Sequence, residues 1–129
     1  MADRYRHSAR IRYGECDMQG VVFNAHYMAY VDDAVDTWVR ERVGHFEDAG
    51  FDFMLKKATF EWQSGATFGD TLDLDLDVGR WGNTSFDVHV EGTASGRAVF
   101  TAVVVYVSVV PKVHTPTPVP ADLREALSR

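Results

Sequence analysis

Between Tyr13 and Tyr27 the chain reads Tyr13-Gly14-Glu15-Cys16-Asp17-Met18-Gln19-Gly20-Val21-Val22-Phe23-Asn24-Ala25-His26-Tyr27. Two carboxylates stand in a loop that runs into the start of an amphipathic segment. Unpaired backbone N–H groups at a helix N-terminus can polarise a carbonyl oxygen and stabilise the oxyanion formed on attack. A carboxylate close by can attack that carbonyl or activate water. On residue types alone Glu15 and Asp17 are both candidates. Two acids that solvate a loop and cap a helix explain the segment equally well.

Other chemistries find less support. Asp73, Asp75 and Asp77 mimic the first three ligand positions of an EF-hand loop, but the sixth position is Val78 where the turn demands glycine, and the twelfth is Thr84 where a bidentate glutamate is needed. A polar strand face is the better reading. His7, His26, His45, His89 and His114 show no metal-ligand spacing with one another or with Cys16, so no metal is expected. Cys16 has no evident basic cluster to activate it, and a small buried thiol is the commoner fate. Gly-x-Ser-x-Gly, glycine-rich phosphate loops and H-E-x-x-H do not occur.

The elements that must position the loop are legible from periodicity. Tyr27, Tyr30, Val31, Ala34, Val35, Trp38 and Val39 recur at helical spacing with charged residues between them, which predicts one long helix over Tyr27–Val43. Asn24 is a suitable N-cap and Gly44 a suitable terminator. Ser8–Tyr13 reads as a first strand and Gly14–Gly20 as a loop. After the helix, strands are expected over Phe53–Trp62, Thr71–Trp81, Ser85–Thr93 and Arg97–Val110. Gly69-Asp70, Gly82-Asn83 and Ser95-Gly96 supply turns between the last four, so antiparallel hairpins follow. The order strand, helix, four strands belongs to the α+β class. Leu72 to Val78 alternates leucine with aspartate, which implies one wet face. Arg97–Val110 is apolar at nearly every position, as in strands covered on both faces. One helix can cover one face, and a neighbouring subunit is the expected cover for the other.

Bulk properties narrow the class. The 129 residues are 46% hydrophobic and 25% charged, as expected for one globular domain spanning 1–129. The net charge of −6 argues against a nucleic-acid binder, and Arg4, Arg6, Arg10 and Arg12 read as solvated residues flanking the first strand. The start MADRYRHSARI lacks the apolar core of a signal peptide, and the single cysteine cannot form an intrachain disulfide. A cytoplasmic location is the default expectation. Ala98–Val110 is too short to span a bilayer as a helix, which takes about 20 residues, so no membrane association is expected.

Tyr13, Gly14, Glu15, Asp17, Gly20, Val21, Val22 and Tyr27 together resemble the signature of the hydroxybenzoyl-CoA thioesterase family: aromatic, small, acidic, variable, Asp, two variable positions, Gly, two aliphatics and a tyrosine opening the helix. Gly69-Asp70 is similar to the Gly-Asp before the family's third strand, and Pro118-Val119-Pro120 with Leu123 to its C-terminal tail. The resemblance implies a hot-dog fold, a long helix wrapped by a curved five-stranded antiparallel sheet, assembled as a homodimer or homotetramer. It implies a hydrolase that cleaves an acyl-CoA or acyl-carrier-protein thioester without a cofactor. Carried over by position, Asp17 is the catalytic carboxylate, the Asn24 N–H the carbonyl-polarising donor, and Tyr13 an auxiliary group. Some relatives place histidine where this chain has Asn24. His26, two residues on, reads as a structural residue. Phe23, Tyr27 and Trp62 are possible pocket aromatics, although core packing is the default for each. Arg80 is the one cation near the turn where relatives meet coenzyme A phosphates. Two rivals remain, a hot-dog hydratase or dehydratase and a non-catalytic acyl-thioester binding protein.

Overall fold

The computed structural model describes residues 4–48 and 50–128. Strand β1 spans Tyr5–Arg10, helix α1 His26–Val43, strands β2 to β5 Asp52–Trp62, Thr71–Trp81, Ser85–Ala94 and Arg97–Val109, and helix α2 Ala121–Leu127. The strands form one sheet in the order β1-β3-β4-β5-β2, every pairing antiparallel. A five-stranded sheet around one long helix is the α+β hot-dog arrangement.

Helix α1 buries Tyr27, Tyr30, Val31, Ala34, Val35, Trp38 and Val39, the full set that the spacing predicts. They meet the inward side chains of the sheet: Leu72, Leu74 and Leu76 of β3, Phe86, Val88 and Val90 of β4, and Phe100, Ala102, Val104 and Tyr106 of β5. Each buried Val, Leu or Phe among them contributes roughly 1.5–3 kcal/mol relative to exposure, so the helix is held in one orientation against the sheet. At its end Gly44 takes a positive φ of 76°, and its N–H donates to the Arg40 carbonyl at 2.9 Å.

Three expectations need correction. The first strand runs Tyr5–Arg10, not Ser8–Tyr13, because its outward residues pair with the β3 aspartates. Arg6 donates twice to Asp75, at 2.8 and 2.9 Å, and Ser8 to Asp73 at 2.6 Å. The aspartate face is therefore partly covered by cations and a hydroxyl. Asn24 does not cap α1. The N-cap is Ala25, which makes no side-chain cap bond, because the chain enters the helix already curled, with His26 N–H donating to the Phe23 carbonyl at 2.9 Å. Finally, the tail forms a helix, α2, which buries Leu123, Ala126 and Leu127 and packs against α1. On β5 the inward residues are buried, whereas Val103, Val105 and Val107 on the outer face are only half-buried.

Candidate active site

The carboxylate loop is a small hairpin pinned at both strands. On the outgoing side, Arg12 N–H donates to Glu15 Oε1 at 2.9 Å and curls Tyr13–Glu15 into a 3-10 turn. Cys16 and Val22 then pair as an antiparallel bridge. Asp17 N–H donates to the Val21 carbonyl at 2.9 Å, and Gly20 N–H to the Asp17 carbonyl at 3.0 Å. Asp17 to Gly20 is thus a tight turn, and Gly20 closes it at φ 81°, a left-handed conformation that costs a residue with a Cβ. Within the turn Gln19 N–H donates to Asp17 Oδ1 at 2.8 Å, an Asx-type contact that aspartate is the right length to make. Asp17 Oδ2 has no partner among the described residues.

On the returning side the loop is tied to the segment before β3. Val21 bridges Thr67, and Val22 N–H donates to the Ala66 carbonyl at 2.9 Å. Ala66 N–H in turn donates to the buried Tyr27 hydroxyl at 3.1 Å. Gly65 lies so close to this strand that a Cβ would come within 2.8 Å of Val21 Cγ1, which is why the chain needs glycine there. The backbone N–H groups of Asn24 and Ala25 have no hydrogen-bond acceptor among the described residues.

Two open clefts flank this hairpin. One, of about 680 Å³, is lined by Tyr13, Cys16, Asp17, Met18, Gly20 and Phe68. Tyr13 is 79% exposed and meets Phe68 edge-on; Arg10 stacks on Phe68, with its guanidinium carbon 5.8 Å from the ring centre. The other, of about 290 Å³, lies at the start of α1 and takes in Val21, Asn24, Tyr27, Trp62 and Ser64. Within one protomer Asp17 lines the first of these clefts and Asn24 the second.

The remaining sequence candidates fall unevenly around these clefts. Trp62 is half-exposed, stacks on Phe60 at 5.5 Å and meets Tyr27 edge-on at 5.9 Å. Tyr27 is buried, and its hydroxyl holds Ala66. Phe23 is exposed and touches only the edge of the His26 ring within this aromatic set. His26 is not a buried, satisfied residue. It lines a third cleft on the β1 side of α1, with Arg10, Arg12, Glu15, Tyr30 and Asp33. Arg80 is engaged by Asp87 at 2.9 Å and Ser85 at 3.0 Å. It stands near the far end of β3 from Thr71, and at about 3.3 Å per residue this puts it roughly 30 Å from the Asp17 end of its own protomer.

Sequence reasoning missed Phe68 and the full set of bonds to Glu15. Besides Arg12 N–H, Glu15 accepts from the Arg12 guanidinium at 2.7 and 3.1 Å and from the Tyr30 hydroxyl. Burial opposes its ionisation, but these donors prevail and hold the carboxyl down to about 2. Burial and the Glu15 carboxylate both push the Tyr30 phenol upward. The only local hint is the separation of three residues between Arg12 and Glu15; Tyr30 is fifteen residues further on. Among the described residues no group of three or more His, Cys, Asp or Glu is placed to hold a metal, and no helix is long and apolar enough to cross a membrane.

A helix wrapped by a sheet of this order, with a carboxylate loop at the helix start, defines a protein of the hot-dog class. A family model described as the thioesterase-like superfamily matches residues 11–127, and the chain belongs to that family. Solved structures agree on the fold. The 1,4-dihydroxy-2-naphthoyl-CoA thioesterase from Synechocystis superposes with a TM-score of 0.81 at 17% identity, covering 96% of this chain and 95% of that one. For the dynemicin thioesterase the values are 0.90 and 18%, over 98% and 96%. For a hypothetical protein from Staphylococcus aureus in complex with CoA they are 0.87 and 12%, over 98% and 82%. No curated protein matches the sequence.

Proposed function

We propose that the protein hydrolyses an acyl thioester, with Asp17 as the reacting carboxylate. Family membership supports thioester chemistry in general. The observation that supports Asp17 is its setting: Oδ1 is held by Gln19 N–H, Oδ2 is unpartnered, and the residue lines an open apolar-rimmed cleft. The thioester carbonyl accepts from the free N–H groups of Asn24 and Ala25, which stabilise negative charge as the carbonyl carbon becomes tetrahedral. Asp17 either attacks that carbon, forming an anhydride that water opens, or takes a proton from the attacking water. Either route ends in a free acid and a thiol. Tyr13 stands at the mouth of the Asp17 cleft, while Tyr27 and Trp62 line the cleft at the start of α1 and give the acyl group an apolar wall there.

The assembly is a homodimer joined at β2. That strand has a free edge and exposes Met54, Leu55 and Trp62, and a partner strand paired across it brings a second protomer against the cleft at the start of α1. A twofold axis near the middle of β2 also carries the partner's β3–β4 turn towards this end, where its Arg80 could meet a phosphorylated carrier. Coenzyme A is the favoured carrier, in keeping with the CoA bound to the Staphylococcus aureus neighbour.

Thiol release from a panel of acyl-CoA and acyl-carrier-protein thioesters tests the reading. Asp17→Asn keeps an oxygen for Gln19 N–H and removes only the charge, so the turn persists while the rate falls by about 10²–10⁴-fold. Equal rates for the two proteins would exclude Asp17. Binding of acyl ligands without cleavage of any thioester would favour a non-catalytic carrier protein.

A further inference from the structure

We propose that Glu15 is a positioning residue: with Arg12 and Tyr30 it clamps the Asp17 turn to helix α1 and so sets the spacing between the reacting carboxylate and the carbonyl-binding N–H groups. The inference rests on the Asp17 reading above.

Glu15 stands where the two halves of the site meet. Its side chain accepts from Tyr30, one turn into α1, and from both the backbone and the guanidinium of Arg12. Its own carbonyl accepts Phe23 N–H at 3.0 Å, immediately before Asn24. Two residues further along the chain is Asp17. A single residue thus touches the outgoing strand of the hairpin, the segment that presents the free N–H groups, and the body of the helix. The bonds at Ala66 and Thr67 hold only the returning strand. The outgoing strand is joined to α1 through Glu15 and Tyr30.

Glu15 is poorly suited to react itself. Both its oxygens are occupied, its side chain is only 14% exposed, and it lines the cleft on the β1 side rather than the one that Asp17 lines. Tyr30 is equally committed. It is 9% exposed, and among the described residues its hydroxyl would be left without a partner if Glu15 were removed. The helix to which the clamp is fastened is held by core packing, so strain applied at Glu15 displaces the turn and not α1. Reactions that depend on near-attack geometry are sensitive to such shifts, since misplacement by about 1 Å can cost about a hundredfold in rate.

The test uses Tyr30→Phe, Glu15→Gln and Glu15→Ala beside Asp17→Asn, with the best-hydrolysed thioester of the panel. Tyr30→Phe is nearly isosteric and leaves the Arg12–Glu15 pair intact. It is expected to lower kcat by about tenfold to a hundredfold with KM hardly changed. Both limbs of the pH–rate profile should stay in place, because Glu15 is ionised throughout the working range. Glu15→Gln, which retains an acceptor for Tyr30, should keep more activity than Glu15→Ala. A non-hydrolysable thioether analogue should bind all the folded variants alike.

If Tyr30→Phe and Glu15→Ala turn over at the wild-type rate while Asp17→Asn is inactive, the clamp is refuted and the Asp17 reading stands. If Asp17→Asn is as active as wild type, the Asp17 reading fails and the clamp falls with it. If kcat and KM change together in step with lost thermal stability, and Glu15→Gln is no better than Glu15→Ala, the residue is merely structural. Should Glu15→Ala not fold, Tyr30→Phe decides the question alone.

Discussion

Gly92 is a position at which one added methyl group should disturb the core. It lies opposite Phe100 in the β4–β5 ladder, and both face the core. A Cβ built at Gly92 falls 2.3 Å from Phe100 Cε1 and 2.5 Å from Cδ1, so the ring must retreat by about 1 Å to regain ordinary contact. It has little room to do so: Phe100 is 1% exposed and packs on Tyr27 at 5.3 Å and Phe60 at 5.5 Å. Overpacking of this kind costs about 1–3 kcal/mol. For a chain of this length that corresponds to a fall in melting temperature of about 4–12 °C. Calorimetry at one fixed protein concentration is the assay, because self-association adds to apparent stability. The double variant Gly92→Ala/Phe100→Leu isolates the clash. The smaller side chain makes room for the methyl group, so the pair should be more stable than the two single penalties summed, by about 0.5–3 kcal/mol. Wild-type stability for Gly92→Ala, or strict additivity in the cycle, would show that the ring does not lie over Gly92 as described.

Two further outcomes follow from buried polar groups. Glu15 titrates near 4.5 when free of its partners and is held at about 2 in the folded chain, so the unfolded state takes up the proton first. The stability Glu15 contributes is complete above about pH 4.5 and is lost as the pH falls from there towards 2. Urea midpoints measured through that window should decline more steeply for wild type than for Glu15→Gln, and parallel curves would rule the contribution out. Ser108 is fully buried, and its Oγ has no hydrogen-bond partner among the described residues. Ser108→Ala should therefore stabilise the protein by about 1 kcal/mol, read as a higher melting temperature; a lower one would mean that the hydroxyl is satisfied.

What was legible in the sequence was whatever repeats along the chain. The seven buried positions of α1 and the alternating leucines of β3 are periodic, and burial against one partner layer makes them so. The strand boundaries of β3 and β5 were found to within a residue, because turn chemistry at Gly69-Asp70, Gly82-Asn83 and Ser95-Gly96 punctuates them. Helix α2 is hard to read from the sequence although Leu123, Ala126 and Leu127 stand at helical spacing. It has only seven residues and is held by packing on α1 rather than by propensity. The bounds of β1 are illegible for a related reason: its outward positions are filled by Arg6 and Ser8, whose partners Asp75 and Asp73 lie more than sixty residues away.

The candidate site divides in the same way. The register of the motif marks Asp17 and the neighbouring helix start, and both stand at the hairpin and its clefts. The Asx contact from Gln19 is local and consistent with an Asp two residues upstream. Glu15 could be recognised as a second acid, but its bond to Tyr30 crosses from loop to helix and no spacing reveals it. Residue type suggests a capping role for Asn24, whereas the backbone reaches α1 through a turn at Phe23 that leaves the side chain uninvolved. Arg80 looks free in the sequence because Asp87, which neutralises it, sits on the next strand.

The two edges of the sheet are unlike. Along β1 the exposed positions are Arg6, Ser8 and Arg10, charged or polar throughout, which discourages another strand from adding there. Along β2, the apolar side chains Met54, Leu55 and Trp62 are exposed beside Lys56, Lys57 and Glu61. In the proposed assembly β2 is the edge that pairs. Were two copies to join through β2 as proposed, the edges left over would both be β1, and the product would be a finite, closed body rather than the beginning of a fibre.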